Sequence, residues 1–570
     1  MTTQHNQHAL HRPSDFVKVD QQAALFHHPS WLRDAVFYEI YPQSFADANA
    51  DGIGDIQGII QHLDYIDSLG VTALWLNPCF TSPFQDAGYD VADYLNVAER
   101  YGTNDDLIEL FHQAHQRSIK VLLDLVPGHT SIQHPWFIAS QQPHIEDRGA
   151  YSDRYLWTNT AFESSAGMPA ISGTTPRDGS YIVNFFAFQP ALNYGFRNPD
   201  PAKSWQVDIN ASAPTATREA MREVMRFWLN AGADGFRVDM ADSLVKNDDT
   251  EKSQTIESWR RMLAPIKAQF PEAAFVSEWS RPWQSLRAGF DMDFYLDWGW
   301  VPNGYNLLTR RTEHQLSHDH DASYFNADSA QSPLAFLADW QPQYQNTKAL
   351  GYFSFITSNH DSPRMAPRLT DTERRIAFAL LLLMPGVPFL YYGDEIGMRM
   401  QELVSVEGGY QRTGARTPMQ WNAKPNLGFS AASAEQLYLP IDHGNDAPTV
   451  AAQEADTTSI LHCVRHIIAV RHANRCLQAD ADTQVVFADD NQRTLILLRT
   501  DSVSGKQALI AVNPGRHDET CELNGTNTLS YDPATAIVDA IVGSGNIQQQ
   551  TPQAPLSLHI EAQSALVILL

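Results

Sequence analysis

The run Ala233–Val238 is short, part apolar and centred on a glycine, and two acids, Asp239 and Asp242, follow it at once. A strand buried inside a parallel barrel reads this way: apolar along its length, then abruptly polar at its carboxyl end. Arg237 and Asp239 are two residues apart, so on a strand their side chains share one face. A guanidinium beside a carboxylate keeps the acid ionised, as a nucleophile requires. A structural ion pair at a strand end has the same signature, so this stretch alone leaves both readings open.

The rest of the chain repeats the pattern. Ala35–Tyr41, Val71–Leu76, Val121–Val126, Ala273–Glu278, Met292–Leu296, Gly351–Thr357 and Val387–Tyr392 read as further buried strands. Between them, Ile56–Leu69, Asn104–Arg117, Thr215–Asn230, Ser253–Phe270, Arg374–Met384 and the segment holding Ile460, Val464, Ile467 and Ile468 read as helices. In Thr215–Asn230, for instance, Met221, Val224, Met225 and Trp228 recur at helical spacing while Arg222, Glu223 and Arg226 fall elsewhere. About eight strand–helix units predict an α/β fold, a closed (β/α)8 TIM barrel.

Two regions break the alternation. Residues 128–210 lack helical periodicity and are rich in Gly, Pro, Ser, Thr and aromatics. That is too long for a loop in a compact domain, so a small domain inserted after strand 3 is expected. From about residue 480 the period changes to two, which predicts a C-terminal antiparallel β domain. The expected organisation is an N-terminal extension over 1–30, a barrel over 31–478 interrupted by the insert at 128–210, and the β domain over 479–570.

The net charge of −26 argues against nucleic acid and against anionic membrane surfaces as partners. The first residues lack the apolar core of a signal peptide, and no run of about 18 apolar residues occurs. The four cysteines show no CxxC spacing. A cytoplasmic protein with reduced thiols is expected. Nothing in the sequence fixes an oligomeric state.

Immediately after the first strand, oxygen-bearing side chains recur at Asp47, Asn49, Asp51 and Asp55 around two glycines. A short loop encloses a hard cation such as Ca²⁺ in this way, and an Asx-rich turn is the alternative. The polar residues expected at the barrel mouth are His129, Arg237, Asp239, Glu278, His360 and Asp361. Three carboxylates from three different strands suit glycosidic bond cleavage: one attacks, one donates a proton, and one stabilises positive charge. A metal-dependent barrel hydrolase would carry an HxH after strand one, and a phosphate-binding barrel would carry Gly-rich loops after strands seven and eight. The first is absent, and Gly393 alone is weak evidence for the second.

Four segments, in order, carry a family resemblance: Asp124-Leu-Val-Pro-Gly-His129, Gly235-Phe-Arg-Val-Asp239, Val276-Ser-Glu278 and Ser358-Asn-His-Asp361. They resemble the conserved regions of the α-amylase family, glycoside hydrolase family 13, over about Trp31 to Leu477. The resemblance implies a retaining mechanism with Asp239 as nucleophile, Glu278 as acid/base and Asp361 as transition-state stabiliser. It implies that Arg237 holds Asp239, and that His129 and His360 bind sugar hydroxyls.

Gln189-Pro-Ala-Leu-Asn193 and Arg416-Thr-Pro-Met-Gln-Trp421 are similar to segments of the oligo-1,6-glucosidase and α-glucosidase branch, which includes trehalose synthases. That likeness implies one calcium in the loop, held by Asp47, Asn49, Asp51, Asp55 and the Ile53 carbonyl. It implies Tyr89 stacked on the sugar, and Asp90 paired with Arg364 to close the pocket around a terminal glucose of a small α-glucoside. An exo-acting α-glucosidase is expected, with a glucosyl-transferring or isomerising enzyme as the alternative. A non-catalytic relative would have lost the carboxylates and gained an N-terminal span. Three positions depart from the pattern: Gly128 replaces the usual calcium-binding Asn of α-amylases, Ala191 replaces an Asp, and Met240 matches neither the α-1,4 nor the α-1,6 type.

Overall fold

The computed structural model describes residues 27–296, 303–309, 321–404, 412–523, 529, 531, 536–548 and 556–570. Most of the expected N-terminal extension lies outside the described residues. Eight parallel strands form the barrel: β1 (Phe37–Ile40), β2 (Ala73–Leu76), β3 (Lys120–Leu125), β4 (Gly235–Val238), β5 (Ala274–Ser277), β6 (Met292–Phe294), β7 (Tyr352–Ser354) and β8 (Phe389–Tyr391). They pair in chain order from β1 to β7, and β8 pairs back onto β1. Between β7 and β8, a parallel bridge joins Ile356 to Phe389, and the Val387 and Phe389 N–H groups donate to the Phe353 and Phe355 carbonyls. These contacts bring the ring round to closure.

All eight strands are buried at every position except, in β3 and β7, the first residue, because helices cover one face and the barrel's own side chains fill the other. Gly235 shows how tightly β4 and β5 pack. A Cβ there would lie 1.9 Å from the Ala274 carbonyl oxygen, and its φ of 147° suits glycine.

The helices follow their apolar stripes. The helix Asn104–Gln116 is opened by a capping box between Thr103 and Asp106 and buries Leu107, Leu110, Phe111 and Ala114. The helix Ser212–Ala231 buries Met221, Val224, Met225 and Trp228 as the periodicity predicts, and stops at left-handed Gly232. Three details differ from the sequence reading. The expected helix Ile56–Leu69 is broken into Ile56–Gln61 and Leu63–Ser68 at His62, whose ring bonds to the Gly58 carbonyl and stacks on Trp421. The helix expected at Arg374 starts at Asp371, because Thr370 and Glu373 form a capping box. A helix over Leu334–Thr347 was not expected; Pro342 interrupts its sequence signal, although Phe336, Leu337, Trp340 and Tyr344 are buried.

Between β3 and the helix Ser212–Ala231, the chain forms short helices and a hairpin of Ala170–Ser172 with Ser180–Ile182. Leu156, Ile182, Ala191 and Phe196 make a small core of their own there. The C-terminal part is a sandwich. Its larger sheet contains β9 (Asp482–Phe487), β10 (Leu495–Thr500), β11 (Gln507–Asn513), β13 (Ile537–Val542) and β16 (Ser564–Leu569). Its smaller sheet contains β12 (Glu519–Glu522), β14 (Gly545–Gln548) and β15 (Ser557–Ile560), and both sheets are antiparallel. Alternation along β10 divides the two faces: Leu495 and Leu497 join the barrel's core, whereas Ile496 and Leu498 pack between the sheets.

Candidate active site

Strand register places Asp124 on β3 directly opposite Arg237 on β4. Arg237 is 1% exposed, and its Nη1 donates to Asp124 Oδ1 at 2.9 Å and to Asp239 Oδ1 at 3.0 Å. Its Nη2 lies 2.9 Å from Glu278 Oε2. One guanidinium thus ties together acids from three neighbouring strand ends. Glu278 Oε2 also accepts the Met240 N–H at 2.9 Å, and a hydrogen bond links the Glu278 and Asp239 carboxyls. Met240 is left-handed (φ 40°), an uncommon state for a residue with a side chain, and this orients its N–H toward Glu278.

Burial pushes Glu278 up to about 8, against the pull of Arg237, and the negative charges of Asp239 and Asp361 add to the rise. Burial also raises Asp239, but Arg237 limits the rise to about 6. Near neutral pH the pair therefore consists of one ionised and one protonated carboxyl.

Asp361 has the opposite surroundings. Arg412 Nη1 and Arg416 Nη2 donate to its Oδ1 at 2.7 and 2.8 Å, and His360 Nε2 lies 3.1 Å from Oδ2. Despite burial, these cations hold its carboxyl well below the usual range. Burial works against the His360 charge too, yet Asp361 on one side and Glu39, 2.8 Å away on the other, keep the ring at about 9.

The structure corrects the expected roles of several residues. Tyr89 is brought to the site, with its hydroxyl 3.0 Å from Asp124 Oδ2 and 2.7 Å from His360 Nε2 and its ring stacked on that of His360. The ring nitrogens of His129 and His360 have partners within the protein. His129 Nε2 lies 3.1 Å from the Tyr89 carbonyl, and its Nδ1 faces the Asn184 amide at 3.2 Å. Burial holds His129 neutral, down at about 4. Both histidines brace neighbouring groups.

Asp90 and Arg364 do not meet. Asp90 is fully buried and accepts from Ser82 Oγ and from the Gln85 and Asp86 N–H groups, so it closes its own turn. Arg364 is also fully buried and binds Asp394 and the Tyr392 carbonyl at 2.8 and 2.7 Å. Asp394 in turn accepts from Thr357 and Ser358, so Arg364 secures the ends of β7 and β8. The pair that spans the mouth is Asp86 with Arg412, and Gln189 Nε2 steadies Asp86 Oδ2 at 2.8 Å.

Asp124 and Arg416 lie inside segments singled out from the sequence and Asp86 stands four residues before Asp90, but Arg412 carries no motif signal. Its position becomes apparent only in the fold, where it meets both Asp86 and Asp361. Ala191 has lost any side-chain function and instead bridges His129 through its backbone.

At Gly128 a Cβ would lie 2.7 Å from Asn184 Nδ2. The Lys246 ammonium donates to Asn184 Oδ1 and to the Ser243 carbonyl, each at 2.9 Å. A cation already sits where the barrel meets the insert, which suits the loss of the usual Asn at 128.

In the 47–55 loop every expected side-chain ligand accepts backbone N–H groups. Asp47 binds those of Asn49, Ala50 and Gly52; Asn49 binds that of Asp51; Asp51 binds that of Ile53. Asp55 caps the next helix through Gly58 at 2.6 Å and also binds Ala48 and Asn49. Among the described residues no group of three or more His, Cys, Asp or Glu is placed to hold a metal ion. A cation in this loop would therefore depend on Asn49 and the Ile53 carbonyl as well as on acids. The oxygen-only chemistry of that donor set fits calcium.

Among the described residues no helix is long and apolar enough to cross a membrane, and all four cysteines are buried and unpaired.

Known proteins share this architecture. The alpha-amylase catalytic domain model matches residues 39–480. The trehalose synthase/amylase TreS of Mycobacterium tuberculosis is 31% identical over 556 residues, covering 90% of this chain and 86% of that protein. The oligo-1,6-glucosidase of Parageobacillus thermoglucosidasius is 30% identical over 489 residues, covering 77% and 83%. The trehalulose synthase MutB structure superposes with a TM-score of 0.73 at 22% identity, over 95% of this chain and 100% of that one, a likeness of fold. The chain belongs to the α-amylase family, glycoside hydrolase family 13, and within it resembles the trehalose synthases and α-glucosidases.

Proposed function

We propose that the protein is a retaining, exo-acting α-glucosidase acting on terminal glucosyl residues of short α-glucosides. The observation that carries this reading is the convergence of two buried carboxyls, Asp239 and Glu278, on one guanidinium, where burial and mutual repulsion raise Glu278 above Asp239. A nucleophile and an acid on neighbouring strand ends, tied to one guanidinium, suit the retaining arrangement. Asp239 attacks the anomeric carbon while Glu278 gives its proton to the leaving glycosidic oxygen. A β-glucosyl-aspartate and a free alcohol result. Glu278, now ionised, takes a proton from water as its oxygen attacks the anomeric carbon, and Asp239 leaves with net retention. Asp361 remains ionised beside the developing positive charge. Asp86, Arg412 and Gln189 would close the far side of the pocket, which favours a terminal sugar over a chain passing through.

The names of the relatives favour a second reading, a glucosyl-transferring or isomerising enzyme of the trehalose synthase type. The covalent intermediate is the same, and a sugar rather than water captures it. NMR of maltose, isomaltose, trehalose and sucrose digests distinguishes the two. Early α-glucose supports the hydrolase, new disaccharides without free glucose support the isomerase, and early β-glucose rejects both.

Calcium in the 47–55 loop is part of this proposal, and so is a cytoplasmic location, which the unpaired cysteines suit. Calcium is expected to raise the melting temperature of protein stripped with a chelator, and Asp47→Ala to abolish the rise. An unchanged melting curve rejects the ion.

A further inference from the structure

Away from the barrel mouth, residues 92–95, the insert helix Pro135–Ser140 and the barrel helix Ser212–Ala231 border an open cavity of about 610 Å³. Arg154, Trp136, Tyr151, His134, Phe227 and Asn230 line it. None of the residues placed at the active site above takes part.

Arg154 is 8% exposed, and its buried Nη1 has no hydrogen-bond partner. Among the described residues no carboxylate pairs with its guanidinium. The group rests instead on aromatic faces, 4.7 Å from the Trp136 ring centre and 5.7 Å from that of Tyr151. The other charged groups of the lining have hydrogen-bond partners of their own, and Asp93, the one acid there without a cation among the described residues, does not pair with Arg154. Arg226 is bonded to Glu219 and Glu223, and the Asp93 oxygens accept from the Leu95 N–H and the Asn96 amide. Arg177, elsewhere in the insert, shows what a structural arginine does: it stacks on Trp157 and gives Nη1 to the Ser140 and Ser152 carbonyls.

A buried cation without a counter-charge is costly, and an anionic ligand would supply what the protein withholds. A guanidinium fork suits phosphate oxygens, while aromatic side chains suit the apolar face of a pyranose. His134 adds a neutral donor. Its Nδ1 accepts the Trp136 N–H at 3.1 Å, which leaves the hydrogen on Nε2. Half-exposed Phe227 and the Asn230 amide stand on the barrel side of the same cavity.

We propose that this cavity is a second binding site, separate from the barrel mouth, for a small phosphorylated sugar held by Arg154.

The test is calorimetry on the full chain with glucose 6-phosphate, inorganic phosphate and glucose as probes. Glucose 6-phosphate is expected to bind one per chain, with phosphate at least tenfold weaker and glucose weaker still. Arg154→Met keeps the stem between the rings and removes the charge. It should weaken glucose 6-phosphate at least tenfold while leaving the melting temperature unchanged or higher. Should Arg154→Met fail to fold, Phe227→Glu at the exposed rim tests the same point by adding a negative charge, and the same loss is expected. In Asp239→Asn protein saturated with maltose the affinity should not change. Absence of binding by glucose 6-phosphate, binding that survives both Arg154→Met and Phe227→Glu, or displacement by maltose overturns the proposal. Phosphate binding as tightly as glucose 6-phosphate overturns the sugar half of it.

Discussion

Around Arg237 three carboxylates, Asp124, Asp239 and Glu278, share one guanidinium; around Asp361 one carboxylate is met by Arg412, Arg416 and the charged ring of His360. The first cluster has too much negative charge, whereas in the second Arg412 and His360 are shared with Asp86 and Glu39 and the charges balance. Two like charges 4 Å apart repel by roughly 4 kcal/mol at an effective dielectric of 20, so the first cluster is relieved by keeping a proton. The proton goes to Glu278, which adds burial to the repulsion of Asp239 and Asp361. The second cluster has no use for a proton, and Asp361 stays ionised. An acid excess in one cluster and charge balance in the other thus assign an acid, a nucleophile and a permanent anion to one mouth.

The largest break of this contrast comes from the nucleophile. Asp239→Asn should reduce turnover of an aryl α-glucoside by about 10⁴-fold or more while the melting temperature stays close to that of the unchanged protein. Steady-state rates with a matched melting curve check it, and near-normal turnover would reject Asp239. Glu278→Gln should cost about 10²- to 10⁴-fold. It should also change the shape of the pH profile. In the unchanged protein kcat/KM rises through about 6 as Asp239 ionises and falls through about 8 as Glu278 loses its proton. Glutamine cannot ionise, so the alkaline limb should vanish. A persistent fall near 8 would mean that another group carries the acid role.

A smaller effect separates the two arginines. Arg412→Ala removes the bonds to Asp361 and Asp86 at the rim of the mouth. Hydrogen bonds to charged groups are worth roughly 1.5–3 kcal/mol, so kcat/KM on disaccharides should fall about 10- to 100-fold, with little change in melting temperature. Arg364→Ala leaves Asp394 buried without its partner and should cost about 3–5 kcal/mol of stability. If Arg364→Ala spared the fold and selectively damaged disaccharide turnover, the sequence-based pairing of Asp90 with Arg364 would have been the better one.

That pairing shows where sequence reading stops. Strand ends are legible because burial on both faces makes an apolar run and function makes an abrupt polar end. Arg237, Asp239, Glu278 and Asp361 stand out for that reason. The choice between Asp86 and Asp90 is not legible in the same way, since four residues of turn separate two identical side chains. Only the fold shows that Asp90 spends its oxygens on its own turn while Asp86 faces Arg412. The partners of the histidine rings are illegible for a related reason. A sequence gives the identity of a ring but not which groups occupy its nitrogens.

The smallest prediction tests whether the second cluster is itself maintained from β1. Glu39 is fully buried and touches His360 Nδ1, so it acts as a positioning residue through the ring. A His whose folded pKa is raised contributes stability that is fully present below its unfolded value near 6.5 and is lost as pH rises through about 9. Glu39→Gln keeps the hydrogen bond and removes the charge, so the His360 titration, followed by nitrogen NMR, should move down by about one unit, or roughly 1.4 kcal/mol. The alkaline loss of stability should move down with it, while Asp361 keeps two arginines and turnover at pH 6 changes only a few-fold. A titration that stays near 9 in Glu39→Gln would show that Asp361 alone charges the ring, and that the second cluster needs no support from β1.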